Sequence, residues 1–507
     1  MNIYVIYTLQ KSKYRYNYIK YDSFESIPDY DKVLYMLCQL KNQFIGQIPL
    51  EQIPLFPKLP ISLIEFNCSN NKLTSLPEFP NGIVNIICHH NKLSTMTKLP
   101  NSVQILDCSS NQLIELPDLP ENIKDLNCSS NQLSILPKFP NGLENINCSN
   151  NQLIELPDLP ENIKELNCSS NQLSILPKIS RKLVEDDFDS NKLTSLTRLN
   201  CSFNKLISLS EFPSNLVELN CRSNQLKTLI ISSYSLTKLD CSHNQITSLS
   251  IPDSLIELDC ESNQLVSMTS FSNKLEILLC SSNQIIEILN LPKSLKKIIC
   301  SDNQLIKLPE LPNSLEYLYC YSNQLSVLPR LPNSLKGLKC MDNQLVELPE
   351  LPFSLKELEC FNNRLTKLPI LPKSLVYLDC HKNQIEYLPQ LDNLIKLCEL
   401  ICSYNRLKYL PEFYNLNHLC CDNNDFIEED KYNKHIKNVI NYMSLEQIIN
   451  EFGDTCSICN QLYVNMYRYK FETWYEECMY TFETTSETDY VIKNTKCGKC
   501  NGNFDTT

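Results

Sequence analysis

Glycine is scarce in this chain, at seven residues in 507. None stands in a G-x-x-x-x-G-K-[ST] setting, so a loop cradling phosphate through its backbone amides is not indicated. Histidine is thin as well, with six residues, at 89, 90, 243, 381, 418 and 435. Asp379 and His381 share a strand face, yet no nucleophile or oxyanion element accompanies them, so they read as ordinary surface residues. Catalysis therefore finds little support. Lys and Arg (46) are outnumbered by Asp and Glu (58), giving a net charge of −12 and a pI near 5.2. A nucleic-acid groove needs clustered basic residues, and this balance argues against one. The acid excess serves the solubility of a long surface. No run of about eighteen apolar residues occurs, so no membrane-spanning helix is expected. The start, MNIYVIYTLQKSK, has no basic n-region and no small-residue cleavage site. It reads as a strand and not as a signal peptide.

What the chain has in abundance is repetition. The phrase L-x-x-L-x-C-x-x-N-x-L recurs, as in Leu315, Leu318, Cys320, Asn323 and Leu325. Its Asn falls at 71, 91, 111, 131, 151, 171, 191, 204, 224, 244, 263, 283, 303, 323, 343, 363, 383, 405 and 424. These nineteen positions, about twenty residues apart, are the signature of a leucine-rich repeat solenoid. The fold class expected is an α/β-type repeat solenoid, with short parallel strands on the concave face. Each coil touches only its neighbours, so the array grows without enlarging a globular core. A solenoid offers long surfaces, which suit protein partners.

Cysteine follows the same period. Eighteen of the 26 occupy one column, from Cys68 through Cys241 and Cys320 to Cys421, and Phe188 fills the one gap. The column shares its strand face with the Leu two residues earlier, so it should point inward as a small buried hydrophobe. A stack of free thiols fits a reducing compartment, cytosol (a host cytosol included) or nucleus. The Asn side chain should bond the backbone of the adjacent coil. The return path is L-P-x-L-P, as in Leu348-Pro349-Glu350-Leu351-Pro352. Proline cannot donate to a ladder and disfavours helix in the residue before it. The convex side should therefore be extended, near polyproline II.

The expected organisation has four parts. Residues 1–60 are an N-terminal segment with a degenerate capping repeat around Leu34, Leu37, Asn42 and Phe44. Residues 61–426 are the solenoid. Residues 427–455 read as a helical cap or linker, with Ile436, Val439, Ile440, Met443, Ile448 and Ile449 at helical spacing. Residues 456–507 form a small α+β module resembling a zinc ribbon. It holds two C-x-x-C pairs, Cys456 with Cys459 and Cys497 with Cys500. Four thiolates can bind a structural zinc tetrahedrally. The 37 residues between the pairs are strand-like, so a hairpin could bring the pairs together. Cys478 and His435 do not complete the eight ligands of a two-zinc ring-type ligase.

The L-P-x-L-P repeats over residues 61–426 resemble the short leucine-rich repeats of bacterial effector proteins delivered into host cells. Those effectors often carry a large C-terminal ubiquitin-ligase domain. About eighty residues follow the repeats here, too few for it, so that activity is not carried over. The Asn-, Ile-, Lys- and Tyr-heavy composition and the Cys column also look like leucine-rich repeat proteins of giant DNA viruses of amoebae.

Two irregularities stand out. Residues 111–138 and 151–178 match everywhere except Asp125 against Glu165, as if two repeats were copied together into spacer coils. Between 181 and 204 the register breaks, Asn191 and Asn204 being thirteen residues apart. There Asp186 takes an inward Leu position, and a buried unpaired Asp would force the coil to open or bend.

The concave face changes character along the array. Directly before the Cys stands a polar column, including Asn67, Asp107, Asn127, Asn147, Asn167, Asp187, Asn200, Asn220, Asp240 and Asp259, with Ile87 as the exception. It then becomes Leu279, Ile299 and Tyr319, while the position after the Cys becomes Tyr321, Met341 and Phe361. With Tyr317 these form the expected partner-binding patch, since exposed aromatic and Met side chains make protein-binding hot spots. The function expected is a non-enzymatic protein-interaction scaffold. The rivals are an adaptor recruiting a ubiquitin ligase or other enzyme through the C-terminal module, and a zinc-ribbon nucleic-acid binder disfavoured by the acidity.

Overall fold

The computed structural model describes residues 58–177, 195–209, 212–231, 234–413 and 416–426, together with the backbone of three N-terminal strands. Among the described residues a single 21-stranded sheet runs from Asn2 to Cys420. Its first three strands are Asn2–Ile6, Ile19–Tyr21 and Tyr35–Gln39. The other eighteen belong to the repeats, from Glu65–Asn67 to His418–Cys420. All eighteen lie parallel and pair coil to coil at equivalent positions, as Leu126 opposite Ile146 and Leu318 opposite Leu338. Each strand is three residues long because only its central side chain goes inward. Leu126, Ile146 and Leu318 are buried, and the residues flanking them look onto the concave face.

The cysteine column is inward as its spacing requires. All eighteen thiols are buried and free. Burial pushes Cys148, Cys201 and Cys300 up to about 12. The conserved-phase Asn stitches the coils together. Asn303 Nδ2 donates to Cys300 O (3.2 Å) and Ser301 O (2.9 Å) of its own coil and to Cys280 O (3.0 Å) of the previous one. Its Oδ1 accepts from Ile285 N at 2.9 Å, again in the previous coil. Backbone groups that the turn would orphan are thereby satisfied.

The turn itself needs a left-handed residue just before each Asn. Ser130 (φ 55°), Phe203 (φ 54°) and Tyr404 (φ 55°) sit there. In a chain so poor in glycine, most coils use Ser, Asn, Asp or His at this place, residues small or polar enough to tolerate it.

The return side confirms the extended expectation and removes the helical half of the α/β one. No helix occurs among the described residues. Prolines 117, 137, 309 and 329 stand six residues after their Asn and remove the amide a regular element would use. Four successive coils carry Ile230, Ser250, Thr269 and Leu289 at that place. A second set of short parallel pairs appears in those coils, Thr228–Ile230 with Ser248–Ser250 and Ser267–Met268 with Glu287–Ile288. Leu289 N donates to Met268 O at 2.9 Å, a bond proline could not make.

Three expectations bear on these strands, of which the first and third are corrected. The first concerns the count of nineteen repeats. Glu165–Asn167 pairs directly with Arg198–Asn200, and Leu173 N donates to Asn204 Oδ1 at 3.0 Å. Glu165–Asn167 and Arg198–Asn200 are thus direct neighbours across the register break, and the sheet has eighteen repeat strands among the described residues. Thirteen residues are too few for a circuit that takes twenty elsewhere. The second, the opening or bending of the Asp186 coil, falls on residues outside the described ones, while the strands on either side pair in register. Asp186, Asp187 and Phe188 lie outside the described residues. The third is the phase of the capping repeat. Tyr35–Gln39 does extend the sheet in parallel, but Met36 lies opposite Phe66 and Leu37 opposite Asn67. The phase read from Leu37 is thus off by one residue in the backbone pairing. Asn2–Ile6 pairs antiparallel with this strand and ends the parallel run, in keeping with the strand read at the start of the chain. Residues 427–455 and 456–507 lie outside the described residues.

Candidate functional site

The concave face is built from the first and third residue of every strand and from the residue after the Cys. In the first half it is polar, for a local reason. Asn127 Oδ1 accepts from Ser129 N (3.2 Å) and Ser129 Oγ (2.8 Å), and Asn147, Asn167 and Asn200 repeat the arrangement. Asp107 and Asp240 do the same with Ser109 and Ser242. The polar column thus holds the turn that leads to the left-handed residue. One side-chain oxygen of each is engaged with its own coil, and among the described residues no acceptor meets the Nδ2 of Asn127, Asn147, Asn167 or Asn200.

An open groove runs over this half, from Ile105 to Asp240. It covers the coils that the duplication marked as spacers. Its charged lining is Asp107, Asp125, Glu165, Arg198, Glu218, Lys238 and Asp240. Arg198 is paired with Glu165, and Lys238 with Glu257 at 3.0 Å. Beyond the groove the acids continue. Burial pushes the Asp259 carboxyl up to about 6, with the adjacent Asp240 and Glu261 adding to it. Glu261 and Asp302 are raised in the same sense, first by burial.

This sets a pH dependence. The folded-state value of Asp259 lies above the ordinary carboxyl value of about 3.9, so the folded chain holds this proton more tightly than the unfolded one. Its contribution is complete below the unfolded value and is lost as pH rises through 6. At this partly solvated site the effect is about 1–2 kcal/mol. Thermal unfolding should therefore move to lower temperature between pH 4.5 and 7, and Asp259→Asn should raise stability at pH 7 while flattening that profile. A profile in Asp259→Asn identical to the native one would contradict the assignment.

The second half carries the sequence-derived patch, and the structure brings its residues onto one face. Leu279, Ile299, Tyr317, Tyr319, Tyr321 and Met341 are half-buried. Tyr317 and Tyr319 meet edge to face, with ring centroids 6.4 Å apart. Tyr317 leans across Gly337, where an added Cβ would come within 3.0 Å of its ring. Lys339 Nζ lies 5.2 Å from the Tyr319 ring centre and 2.8 Å from Glu359 Oε1, so this cation is held inside the patch. Burial pushes the Tyr321 phenol up, and the charge of Asp302 adds to it.

Phe361 corrects the expectation of a fully exposed row. It is only 5% exposed, stacked on His381 with centroids 4.3 Å apart. Side chains converge on a concave surface, and here the ring of the next coil covers it. Asp379 is buried as well, bonded to His381 Nδ1 at 2.6 Å, so it holds the ring that stacks on Phe361 and is no loose surface residue. Cys456, Cys459, Cys497 and Cys500 lie outside the described residues.

A family model for the leucine-rich repeat matches residues 235–258. No curated protein matches the chain in sequence. Among solved structures, YopM from Yersinia enterocolitica is 34% identical with a TM-score of 0.66, over 74% of this chain and 85% of that one. The chain belongs to the leucine-rich repeat family. The same leucine-rich repeat fold is shared with a leucine-rich repeat protein of Leptospira interrogans, at 24% identity and TM-score 0.50, over 75% of this chain and 95% of that one. It is also shared with the plant peptide hormone receptor RGFR1 in complex with RGF2, at 21% identity and TM-score 0.52, over 73% of each chain.

Proposed function

We propose that this leucine-rich repeat chain is a non-enzymatic scaffold that holds a protein partner on its concave face. The observation that carries the reading is the run of half-buried Tyr317, Tyr319, Tyr321 and Met341 on a face that no other described element covers. Aromatic anchors in such a setting contribute on the order of 2 kcal/mol each to a complex. Leu279 and Ile299 continue the Tyr319 position on the two preceding coils and extend the apolar floor on one side.

The test follows from these different degrees of burial. Tyr319→Ala with Tyr321→Ala should abolish capture of a protein partner while changing thermal stability little. Phe353→Ala, at a site 90% exposed on the return side, should leave both unchanged. Phe361→Ala should lower stability by about 2–3 kcal/mol, because it empties a covered, stacked position. Retention of every partner by the double tyrosine variant would remove the patch from the account.

The C-terminal cysteines enter as a separate expectation. Four thiolates from Cys456, Cys459, Cys497 and Cys500 suit one tetrahedral zinc. The full chain should purify with about one zinc, and Cys497→Ser should release it while the solenoid stays folded. Elemental analysis showing metal-free native protein would remove the site.

A further inference from the structure

The groove between Ile105 and Asp240 has a chemistry different from that of the aromatic patch. Down its floor run Asn127, Asn147, Asn167 and Asn200, on consecutive strands about 4.8 Å apart. Each has its Oδ1 occupied by the Ser two residues on, which fixes the amide so that its nitrogen faces outward. These nitrogens meet no acceptor among the described residues. The floor is therefore a row of oriented donors.

The lining carries five carboxylates against two cations. Arg198 is engaged by Glu165 and Lys238 by Glu257, so no lining cation is left without a carboxylate. Among the described residues Asp107, Asp125, Glu218 and Asp240 make no ion pair of their own, although Asp125 accepts from Asn145 Nδ2 and the Lys238 charge also acts on Glu218 and Asp240. Seven strands at about 4.8 Å span about 29 Å, the length of roughly nine extended residues.

Donors on the floor and an excess of carboxylates along the sides ask for a ligand with acceptors on its axis and cations on its side chains. A nucleic acid fails the second condition and an acidic peptide fails it as well. We propose that the groove over residues 105–240 takes an extended polypeptide segment rich in Lys and Arg, its main-chain carbonyls on the Asn amides and its cations on Asp107, Asp125, Glu218 and Asp240. The inference rests on the scaffold reading and assigns the partner a basic segment beside whatever fills the tyrosine patch.

The test uses the full chain and a fluorescent twelve-residue peptide alternating Lys or Arg with Ser or Thr, read by anisotropy. Asp125→Asn with Glu218→Gln and Asp240→Asn should weaken binding at least tenfold. An equal loss of charge at Glu115, Glu155 and Glu347, outside the groove, should change it less than twofold. The deciding variant is Asn147→Asp with Asn167→Asp and Asn200→Asp. It keeps the turn, as Asp107 and Asp240 already do, but exchanges donors for acceptors and adds three negative charges. Diffuse attraction of a basic peptide to an acidic protein predicts tighter binding, whereas the donor row predicts weaker binding. Tighter binding, or equal effects of the groove and outside charge sets, would overturn the proposal. If the peptide fails to bind while partner capture still depends on Tyr319 and Tyr321, the groove assignment falls and the scaffold reading stands.

Discussion

Treated natively with a maleimide at pH 8, the column thiols are expected to be silent, and Cys398 to react first among the described cysteines. Two causes act together. Burial pushes Cys148, Cys201 and Cys300 up to about 12, against about 8.5 for a free thiol. Only the thiolate attacks, and at pH 8 its fraction falls more than a thousandfold, before access is considered. Access is closed too, because the column lies under the sheet. Cys398 and Cys420 stand outside the column and are half-buried. Cys420 is nevertheless raised to about 11, first by burial, so Cys398 should be the faster of the two. Denaturant should release the whole column. Native labelling of Cys241, Cys260 and Cys280 at the rate of Cys398, read by peptide mapping, would show that the column is open.

Asn303→Ala should cost about 3–4 kcal/mol, a large effect for one polar residue. The side chain makes three donations and one acceptance, across two coils. Its loss leaves the amide of fully buried Ile285 without an acceptor, and strips the carbonyls of Cys280 and Cys300 of one donor each. An orphaned buried group costs about 1–3 kcal/mol. Coils are held only by neighbours, so the damage should be local. Hydrogen exchange should accelerate at Ile285 and its surroundings, with coils around Cys108 unaffected. A loss under about 1 kcal/mol would mean that water replaces the ladder.

The parts of the fold that were legible in the sequence are those governed by local stereochemistry. Alternation in a strand places Leu318 and Cys320 on one face, and the missing amide of Pro309 or Pro329 keeps the return path from pairing. The short second set of strands was readable by the same rule, from Ile230, Ser250, Thr269 and Leu289 standing where proline usually does. The left-handed position had its signal too, in the Ser, Asn, Asp and His before each Asn. Asn191 matches the repeat by residue type alone, since the thirteen residues from it to Asn204 are fewer than the twenty of most circuits.

The candidate site was less legible, and for a different reason. Period two correctly puts Tyr319 and Phe361 on the outward side, but how far a side chain is covered depends on the neighbouring coils. Phe361 disappears under His381 because a large flat ring follows it one coil later. Tyr321 has the smaller Ser301 and Met341 beside it and stays half-buried. The groove over 105–240 was missed because its residues look like solvated polar filler one coil at a time. Only the engaged oxygens of Asn127, Asn147, Asn167 and Asn200 give the row a direction.

The central claim is that binding occurs on the concave face. A photo-crosslinking residue placed singly at Tyr319, at Asn147 and at Phe353 tests it most directly, since the first two lie on that face and the third is 90% exposed on the return side. The account predicts that one and the same protein is crosslinked from Tyr319 and from Asn147, and none from Phe353. Crosslinking from Phe353 with silence at both concave positions would contradict it.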